Sequence, residues 1–335
     1  MLESLQQIGR SRVRWRGREW LYFSGCDYFR MAEHPSVLRA VGIGLKKFGL
    51  NVAASRATTG HHEMYAVLES ALSRFFGAED ALLVSTGYLT GTVVAQALAG
   101  NFSHALLDER AHPALADAAD HLACPILRFR HRHPGDFART VDRCGKGARP
   151  MVLTDGMFSH NGSVAPLKAY LKVLPRDGMI LVDDAHGAGV LGENGRGTPE
   201  CEDVGRRQIV QCITLSKAFG AFGGAVLGTR ALREKIFLRS RSWIGSTPPP
   251  LPLANAALAS LKIFRSRGRA LRRRLFANAR YVKSAFQRAG FNIPDMAGPI
   301  LPLYAQGERQ SRALKKHLLA AGIFPPLLKY PGGNP

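Results

Sequence analysis

The sequence contains few cysteines, and their spacing fits neither a metal site nor a disulfide framework. The five thiols are scattered along the 335 residues without a Cys-x-x-Cys pair, at Cys26, Cys124, Cys144, Cys201 and Cys212. This spacing argues against a zinc ribbon and against a small disulfide-bonded scaffold, so no metal site is predicted. It fits a reducing compartment, and a cytoplasmic location is expected.

The chain also lacks an N-terminal signal and a strong membrane segment. Met1-Leu2-Glu3-Ser4 contains no apolar core of a signal peptide, so secretion is not predicted. The longest stretch without a charged residue runs from Ala81 past Ser103 and is long enough to cross a membrane. Its glycine, serine, threonine, glutamine and asparagine residues fit a buried strand, a turn and a helix better, so no membrane span is expected.

Short apolar strands alternate with amphipathic helices along most of the chain. After a strand-like run at 20–23, strands are predicted at 81–84, 105–107, 126–129, 151–154, 179–182, 209–215 and 225–227. Helices are predicted at 35–45, 64–76, 88–98, 113–121 and 167–174. This alternation indicates an α/β fold with a mainly parallel sheet covered on both faces. Ligands of such sheets bind at the carboxyl ends of the strands.

The character of the chain changes after about residue 250. A long helical region, 253–286, precedes a strand at 300–304, where Pro302 suggests an edge position. A helix at 311–321 and the loop-like end Pro331-Gly332-Gly333-Asn334-Pro335 follow. A further strand and helix would be expected there, so this part looks incomplete. We therefore predict an N-terminal arm, a large cofactor-binding α/β domain, and a linking helix with a smaller α+β domain, at 1–45, 46–250 and 251–335.

An acid and an amine follow two of the predicted strands. The strand at 179–182 leads into Asp183-Asp184-Ala185-His186-Gly187, and the strand at 209–215 leads to Lys217. Alone, a lysine after a strand is usually a solvated charge, and an Asp-His pair at a strand end is often a cap. Together, an acid that keeps a pyridine nitrogen protonated and a lysine that forms a Schiff base predict a pyridoxal phosphate (PLP) enzyme.

The phosphate of PLP requires hydrogen-bond donors. Thr86, Gly87 and Tyr88 follow a strand and open a helix, where backbone amides and a glycine suit an anion. Such a turn alone is a weak signal, since most are ordinary helix starts. Thr214 and Ser216, beside the lysine, add two hydroxyl donors.

The cofactor ring requires a stacking face and polar partners. His112 follows a strand and begins a helix, from where its imidazole could stack on the ring, although a surface-loop histidine is the commoner case. Asp183 would form a charge-assisted bond to the ring nitrogen and keep the ring an electron sink. Ser159 and His186 could bond the phenolic oxygen.

These motifs, in this order, resemble those of the α-oxoamine synthases. These are fold-type I PLP enzymes that include aminooxononanoate synthase, aminoketobutyrate ligase, aminolevulinate synthase and serine palmitoyltransferase. The similarity runs from about Phe23 to the C-terminus, and the matching segments are 60–62, 86–88, 108–115, 154–162, 183–192, 195–197, 214–220 and 246–249. The resemblance implies a large domain with a mainly parallel sheet and a smaller C-terminal domain.

The resemblance also implies a reaction. Lys217 would hold PLP as a Schiff base and then remove the α-proton of a bound amino acid. The resulting carbanion would attack an acyl thioester of coenzyme A or of an acyl carrier protein, with loss of carbon dioxide, to give an α-aminoketone. His112 would stack on the cofactor, so the catalytic set is Lys217, His112, Asp183 and His186.

A homodimer with shared active sites is implied as well. Ser246 and Thr247 resemble the segment that reaches the phosphate of the neighbouring subunit. The chain departs from the family at 25–31 and 51–56, two segments that shape the substrate pocket, which points to unusual amino acid and acyl specificity. The family arginine that grips the substrate carboxylate lies beyond an element resembling Pro325-Pro326, and the chain ends before a clear match.

Two other functions therefore stay open. A different PLP reaction on the same scaffold, such as transamination or retro-aldol cleavage, would need no thioester. A PLP-binding protein without turnover would follow if the carboxylate grip were lost.

Acidic residues are scarce relative to basic ones. The chain has 46 Lys and Arg against 25 Asp and Glu, a net charge of +21. The basic clusters lie at 10–18, 128–133 and 265–274, and such clusters favour polyanions. A solvated basic surface, a coenzyme A thioester or acidic acyl carrier protein, and nucleic acid are the three interpretations. Nucleic acid is not expected, because no zinc finger, homeodomain or RNA-binding aromatic motif accompanies the charge.

Overall fold

A computed structural model describes residues 4–9, 11–293, 296–305 and 307–326 of the chain. Within them, ten strands form a three-stranded and a seven-stranded sheet. The strands are β1 Gln6–Gln7, β2 Arg12–Trp15, β3 Arg18–Leu21, β4 Asp80–Val84, β5 His104–Asp108, β6 Ile126–Phe129, β7 Pro150–Asp155, β8 Met179–Asp183, β9 Ile209–Thr214 and β10 Gly224–Gly228. The loop predicted at 331–335 and the first arginine of the 10–18 cluster lie outside the described residues.

The large sheet has the strand order β4-β10-β9-β8-β7-β5-β6. Strands β5 to β9 are parallel, and β10 is antiparallel to both β9 and β4. Every residue of β7 and β9 is buried, as expected for strands covered on both faces. The predicted α/β fold with a mainly parallel sheet is confirmed.

Helices cover both faces of this sheet. They are α1 Pro35–Phe48, α2 Glu63–Phe76, α3 Leu89–Ala97, α4 Pro113–Asp120, α5 Pro134–Arg143, α6 Leu167–Val173, α7 Thr198–Cys201, α8 Arg230–Arg239, α9 Arg241–Ile244, α10 Leu251–Arg288 and α11 Gly307–Ala320. Successive strand residues point to opposite faces. Met151 and Leu153 therefore pack in the core under α3, α4 and α8, whereas Val152 packs in the core under α5 and α6.

Most predicted helices are confirmed, with local signals at their ends. Pro35 and Pro113 occupy first-turn positions of α1 and α4, where a missing N–H costs nothing. Gly77 ends α2 in the left-handed conformation at φ 63°. No helix was predicted between β6 and β7, but α5 lies there. The short helix α7 and the helices α8 and α9 were also not predicted.

The strand predicted at 300–304 is wrong. Residues 296–305 form no helix or strand, and Pro299 and Pro302 supply no backbone donors for a ladder. The segment is held by individual contacts instead. The Lys283 amine donates to the carbonyls of Met296 and Gly298, and the Gly298 amide donates to the Gly162 carbonyl at 3.1 Å.

The N-terminal and C-terminal segments pack together. Leu21 of β3 pairs with Ile323 in a parallel bridge, and Phe324 packs against Trp15 and Trp20. On the other side, α10 packs against both α1 and α2. The division at residues 45 and 250 stays a prediction. No described helix is long and apolar enough to span a bilayer.

Candidate active site

The candidate residues gather at one edge of the large sheet. Strands β5, β7, β8 and β9 are parallel, so their carboxyl ends meet there. Gly224 of β10 pairs with both Thr214 of β9 and Val84 of β4, which brings the end of β4 to the same edge. Asp155 and Asp183, the last residues of β7 and β8, face each other in register.

Lys217 lies in the turn between β9 and β10, and its amine contacts a histidine. The distance from Lys217 Nζ to His186 Nε2 is 2.7 Å, and that from His186 Nδ1 to the Tyr28 hydroxyl is also 2.7 Å. Burial lowers the pKa of the Lys217 amine below its ordinary value, against the opposing effect of Asp183. Burial also lowers the pKa of His186 well below its ordinary value, which keeps the imidazole neutral.

Asp183 ends β8 with its side chain partly exposed to the site. Its Oδ1 accepts a hydrogen bond from the Ala185 amide at 3.1 Å. Burial raises the pKa of Asp183, while the Lys217 amine, the Ala185 amide and His112 lower it. The acid and the lysine are therefore electrostatic neighbours, as predicted from the strand ends.

His112 caps α4 and is fixed by its backbone. Its Nδ1 accepts from the Ala114 amide at 3.2 Å, and its own amide donates to Asp155 Oδ2 at 2.8 Å. Burial lowers the pKa of His112, while Asp183 raises it. The ring lies edge-on to Tyr88, with centroids 6.1 Å apart. His112, Asp183 and Lys217 thus occupy one site.

The turn 86–88 lies directly beside Thr214. A Cβ on Gly87 would come within 2.6 Å of the Thr214 Cβ, and one on Gly224 would come within 2.8 Å of the Thr86 carbonyl oxygen. Only glycine permits this approach, which brings the start of α3 against Thr214. The amide of Ser216 donates to Thr214 Oγ1 at 3.2 Å.

The remaining predicted residues lie near this edge, with less direct links. Ser159 is half-buried in the turn after β7. Ser246 and Thr247 follow α9 and line a small cavity together with Ser85 and Arg56 of the same chain. Arg56 is buried there and forms an ion pair with Glu69. The role predicted for the 51–56 segment in shaping the substrate pocket stays a prediction.

Three residues of the site were not assigned roles from the sequence: Tyr28, Asp155 and Asp184. Tyr28 lies 158 residues before its partner His186. The one feature of the sequence that could have indicated it was the Asp27-Tyr28 pair, within the segment 25–31 that departs from the family pattern. Asp155 supports His112. Asp184 is fully buried and binds the Thr198 amide and hydroxyl and the Gln211 amide group.

The donor set at this edge fits PLP. An amine lies beside a carboxylate, an imidazole lies within electrostatic reach of both, and a helix start with a glycine packs against Thr214. These are the groups that a Schiff-base carbonyl, a ring nitrogen, an aromatic face and a phosphate require.

Comparison with known proteins identifies the family. Residues 27–328 match the family described as aminotransferase class I and II. An 8-amino-7-oxononanoate synthase from Trichlorobacter lovleyi is 33% identical over 328 residues, covering 97% of this chain and 84% of that protein. One from Hahella chejuensis is 36% identical over 322 residues, covering 94% and 81%.

Solved structures agree with these relatives. A Sphingomonas wittichii serine palmitoyltransferase superposes with a TM-score of 0.89 at 28% identity, covering 95% of this chain and 80% of that one. A serine palmitoyltransferase from S. paucimobilis with bound PLP and myriocin gives a TM-score of 0.90 at 27% identity, covering 96% and 84%. The chain belongs to the aminotransferase class I and II family and, within it, to the α-oxoamine synthases, PLP-dependent enzymes that condense an amino acid with an acyl thioester.

Proposed function

We propose that this chain condenses alanine with the thioester of a seven-carbon dicarboxylic acid. The observation that carries the proposal is the contact of the half-buried Lys217 amine with His186, beside Asp183, in a chain similar to 8-amino-7-oxononanoate synthases over almost its whole length. In 8-amino-7-oxononanoate the new bond joins the ketone carbon to the amine-bearing carbon. Disconnecting it, with one carbon dioxide restored, leaves alanine and a heptanedioyl thioester.

The chain's own residues divide the chemistry among them. PLP, when bound, accepts the electron pair released at the α-carbon of the amino acid. Lys217 would hold the cofactor, and its free amine would take the α-proton, because a lowered amine pKa gives a larger neutral fraction. Asp183 would keep the ring nitrogen protonated, and His112 would stack on the ring. His186 and Ser159 would donate hydrogen bonds to the phenolic oxygen.

The phosphate belongs at the start of α3. The amides of Thr86, Gly87 and Tyr88 at that helix start favour an anion through the helix dipole. Thr214 packs against the same turn, and the Ser216 amide donates to Thr214 Oγ1, so the two hydroxyls would add donors for the phosphate. A phosphate held there would help to orient the cofactor ring.

An absorbance titration tests the reaction. The PLP-loaded protein is titrated with single amino acids and then with acyl thioesters, while free thiol is measured. We expect a spectral change with alanine, and thiol release only after the heptanedioyl thioester is added. Conversion to pyridoxamine phosphate would indicate an aminotransferase, and cleavage without a thioester would indicate an aldolase-type reaction. Cofactor binding without any response would indicate a PLP-binding protein without turnover.

We also infer a homodimer with shared sites. Leu38 and Leu45 on α1, with Leu50 just beyond it, leave large apolar side chains exposed, a surface suited to a second copy. Ser246 and Thr247 would then bind the phosphate of the neighbouring protomer. Mixing protomers carrying Lys217→Ala with protomers carrying Thr247→Ala should restore activity in hybrid dimers. Two inactive homodimers whose mixture stays inactive, or a fully active monomer by light scattering, would contradict shared sites.

The basic surface suits a polyanionic thioester donor in a reducing cytoplasm. Helix α10 contains many arginines and no acidic residue, and Arg265, Arg269 and Arg273 are exposed along it. A coenzyme A moiety or an acidic carrier protein offers the complementary charge. Arg269→Glu with Arg273→Glu should raise KM for a carrier-protein thioester and leave kcat unchanged. An unchanged KM at low salt would rule out docking on this helix.

A further inference from the structure

Tyr28, His186 and Lys217 are linked by two hydrogen bonds. Which atoms donate in these bonds depends on the protonation state of a single group. A neutral imidazole carries a proton on one nitrogen only, so one ring nitrogen donates and the other accepts. If the Tyr28 hydroxyl donates to Nδ1, the proton must be on Nε2, and Nε2–H then donates to the lone pair of a neutral Lys217 amine. If Lys217 is an ammonium, Nε2 must accept, and Nδ1–H points to Tyr28.

We propose that Tyr28 is a positioning residue that fixes the Nε2–H tautomer of His186 and thereby favours the neutral form of the Lys217 amine. The inference rests on the proposed function, in which Lys217 must be neutral to attach the cofactor and to take a proton. The same tautomer lets Nε2–H donate to the phenolic oxygen once PLP is bound. The Tyr28 hydroxyl would therefore support both the attachment of PLP to Lys217 and the hydrogen bond from His186 to bound PLP.

The segment that carries Tyr28 is built to hold its position. The Asp27 carboxylate accepts from the Met31 amide at 2.8 Å and from the Ala32 amide at 3.1 Å, closing a tight turn. Phe29 anchors this turn in the core against Phe264, with ring centroids 5.1 Å apart. The hydroxyl of Tyr28 is thus fixed from both sides of the turn.

The backbone of this segment packs directly against the turn that carries Lys217. Gly220, three residues after Lys217, lies so close that a Cβ there would overlap the Met31 carbonyl carbon and the Ala32 amide nitrogen. The relative position of Tyr28 and Lys217 is therefore set by backbone packing. The Tyr28 hydroxyl can fix the tautomer of His186 only while it stays within hydrogen-bond distance of Nδ1. The packing of the two backbone segments keeps it at that distance.

The charged groups around Lys217 favour its protonated form, in opposition to the hydrogen bond from His186. Asp183, Asp155 and Cys26 each favour the ammonium, and only burial opposes them. On the His186 side, Lys217 and His112 disfavour an imidazolium. The imidazole is therefore neutral, and its tautomer is the one local variable that the Tyr28 hydroxyl controls.

The test measures the amine directly. Cofactor-free protein is mixed with PLP across a pH series, and the rate of covalent attachment to Lys217 is followed by absorbance. Its midpoint reports the ionisation of the amine. Tyr28→Phe, which keeps the ring, should move the midpoint upward by about 0.5 to 1 pH unit, the equivalent of one ordinary hydrogen bond. Tyr170→Phe, which removes a buried hydroxyl in a different core, is the matched control and should leave the midpoint in place.

A double-mutant cycle shows whether Tyr28 acts through His186. In a His186→Gln background, Tyr28→Phe should cause no further shift. An equal shift in both backgrounds, or no shift in the wild-type background, would overturn the proposal. Nitrogen NMR of ¹⁵N-histidine protein, assigned with His186→Gln, gives a reading that needs no Tyr28 variant. A proton found on Nδ1 of His186 would also overturn it. Wild-type protein that attaches no PLP at Lys217 would instead refute the proposed function.

Discussion

Replacing the buried Asp184 by asparagine should remove a defined part of the pH dependence of stability. The carboxylate is fully buried beneath the loop that carries His186. It accepts from the Thr198 amide at 2.8 Å, the Thr198 hydroxyl at 2.7 Å and the Gln211 amide group at 2.6 Å. A Cβ on Gly187 or Gly197 would overlap its oxygens, so backbone packs directly around the carboxylate.

The magnitude follows from the ionisation of Asp184. Burial raises its pKa from 3.8 to about 6, even though the three donors lower it. The folded state therefore binds this proton more tightly than the unfolded state. Its contribution to stability is fully present below the ordinary pKa and is lost as the pH rises through 6. A difference of about two units corresponds to about 3 kcal/mol at 1.36 kcal/mol per unit.

Asparagine is suited to isolate this effect because its amide keeps the shape of the side chain. With the nitrogen turned towards the Thr198 hydroxyl, which can also accept, the remaining oxygen still serves the Thr198 amide and Gln211. Asp184→Asn then removes the titration and keeps an acceptor for the Thr198 amide and Gln211, although the Thr198 hydroxyl loses the acceptor to which it donates. That cost does not depend on pH, so the pH dependence still isolates the titration. Asp184→Ala is not suitable for this test, because it would leave all three donors without an acceptor.

The assay is urea unfolding of cofactor-free wild type and variant between pH 4 and pH 8. Between pH 8 and pH 4 the wild type should gain about 2.5 kcal/mol relative to Asp184→Asn, because pH 4 lies just above the ordinary pKa of the carboxyl. Asp203→Asn is the matched control at a position whose side chain is 95% exposed. A difference between wild type and Asp184→Asn that stays flat, or that changes in the opposite direction, would refute the burial argument.

Three further predictions concern the site itself. Lys217→Ala should abolish cofactor fixed by borohydride, and covalent PLP retained in that variant would exclude Lys217 as the attachment point. Asp183→Asn should still bind PLP but should slow α-proton exchange by about 10²- to 10³-fold, the usual effect of removing one stabilising electrostatic group; exchange at the wild-type rate would contradict the ring-nitrogen role. Gly220→Ala, at φ 58° with no room for a Cβ, should lower the melting temperature strongly, whereas Gly205→Ala, which meets open space, should not.

The sequence predicted the sheet and its chemical edge because both depend on short-range patterns. Strongly apolar strands such as 151–153 and 179–182 are typical of central strands, and the polar residues after them are then expected at the carboxyl edge. Strand direction is different. The five residues of β10 are as apolar as a parallel strand, so nothing local distinguishes their antiparallel pairing.

Each miss has its own physical cause. Helix α5 is mostly polar and buries only Phe137 and Thr140, so it contains no apolar run that would mark it in the sequence. Residues 300–304 have apolar composition, but Pro299 and Pro302 remove the donors that a strand requires. The contact of Tyr28 with His186 joins residues 158 positions apart, and only the folded backbone brings them together.

The electrostatics of the site explain why a scaffold this rigid is needed. Burial moves both the Lys217 amine and the Asp183 carboxyl towards their neutral forms, and each partly restores the charge of the other. In the proposed site, a protonated ring nitrogen would give Asp183 a cationic partner, and attachment of the cofactor would replace the free amine of Lys217. Both costs of burial would then fall. This gain in free energy requires that the charged groups of the site are already in place before the cofactor binds. Their positions are held by the turn at Asp27, the close packing at Gly220 and the buried Asp184.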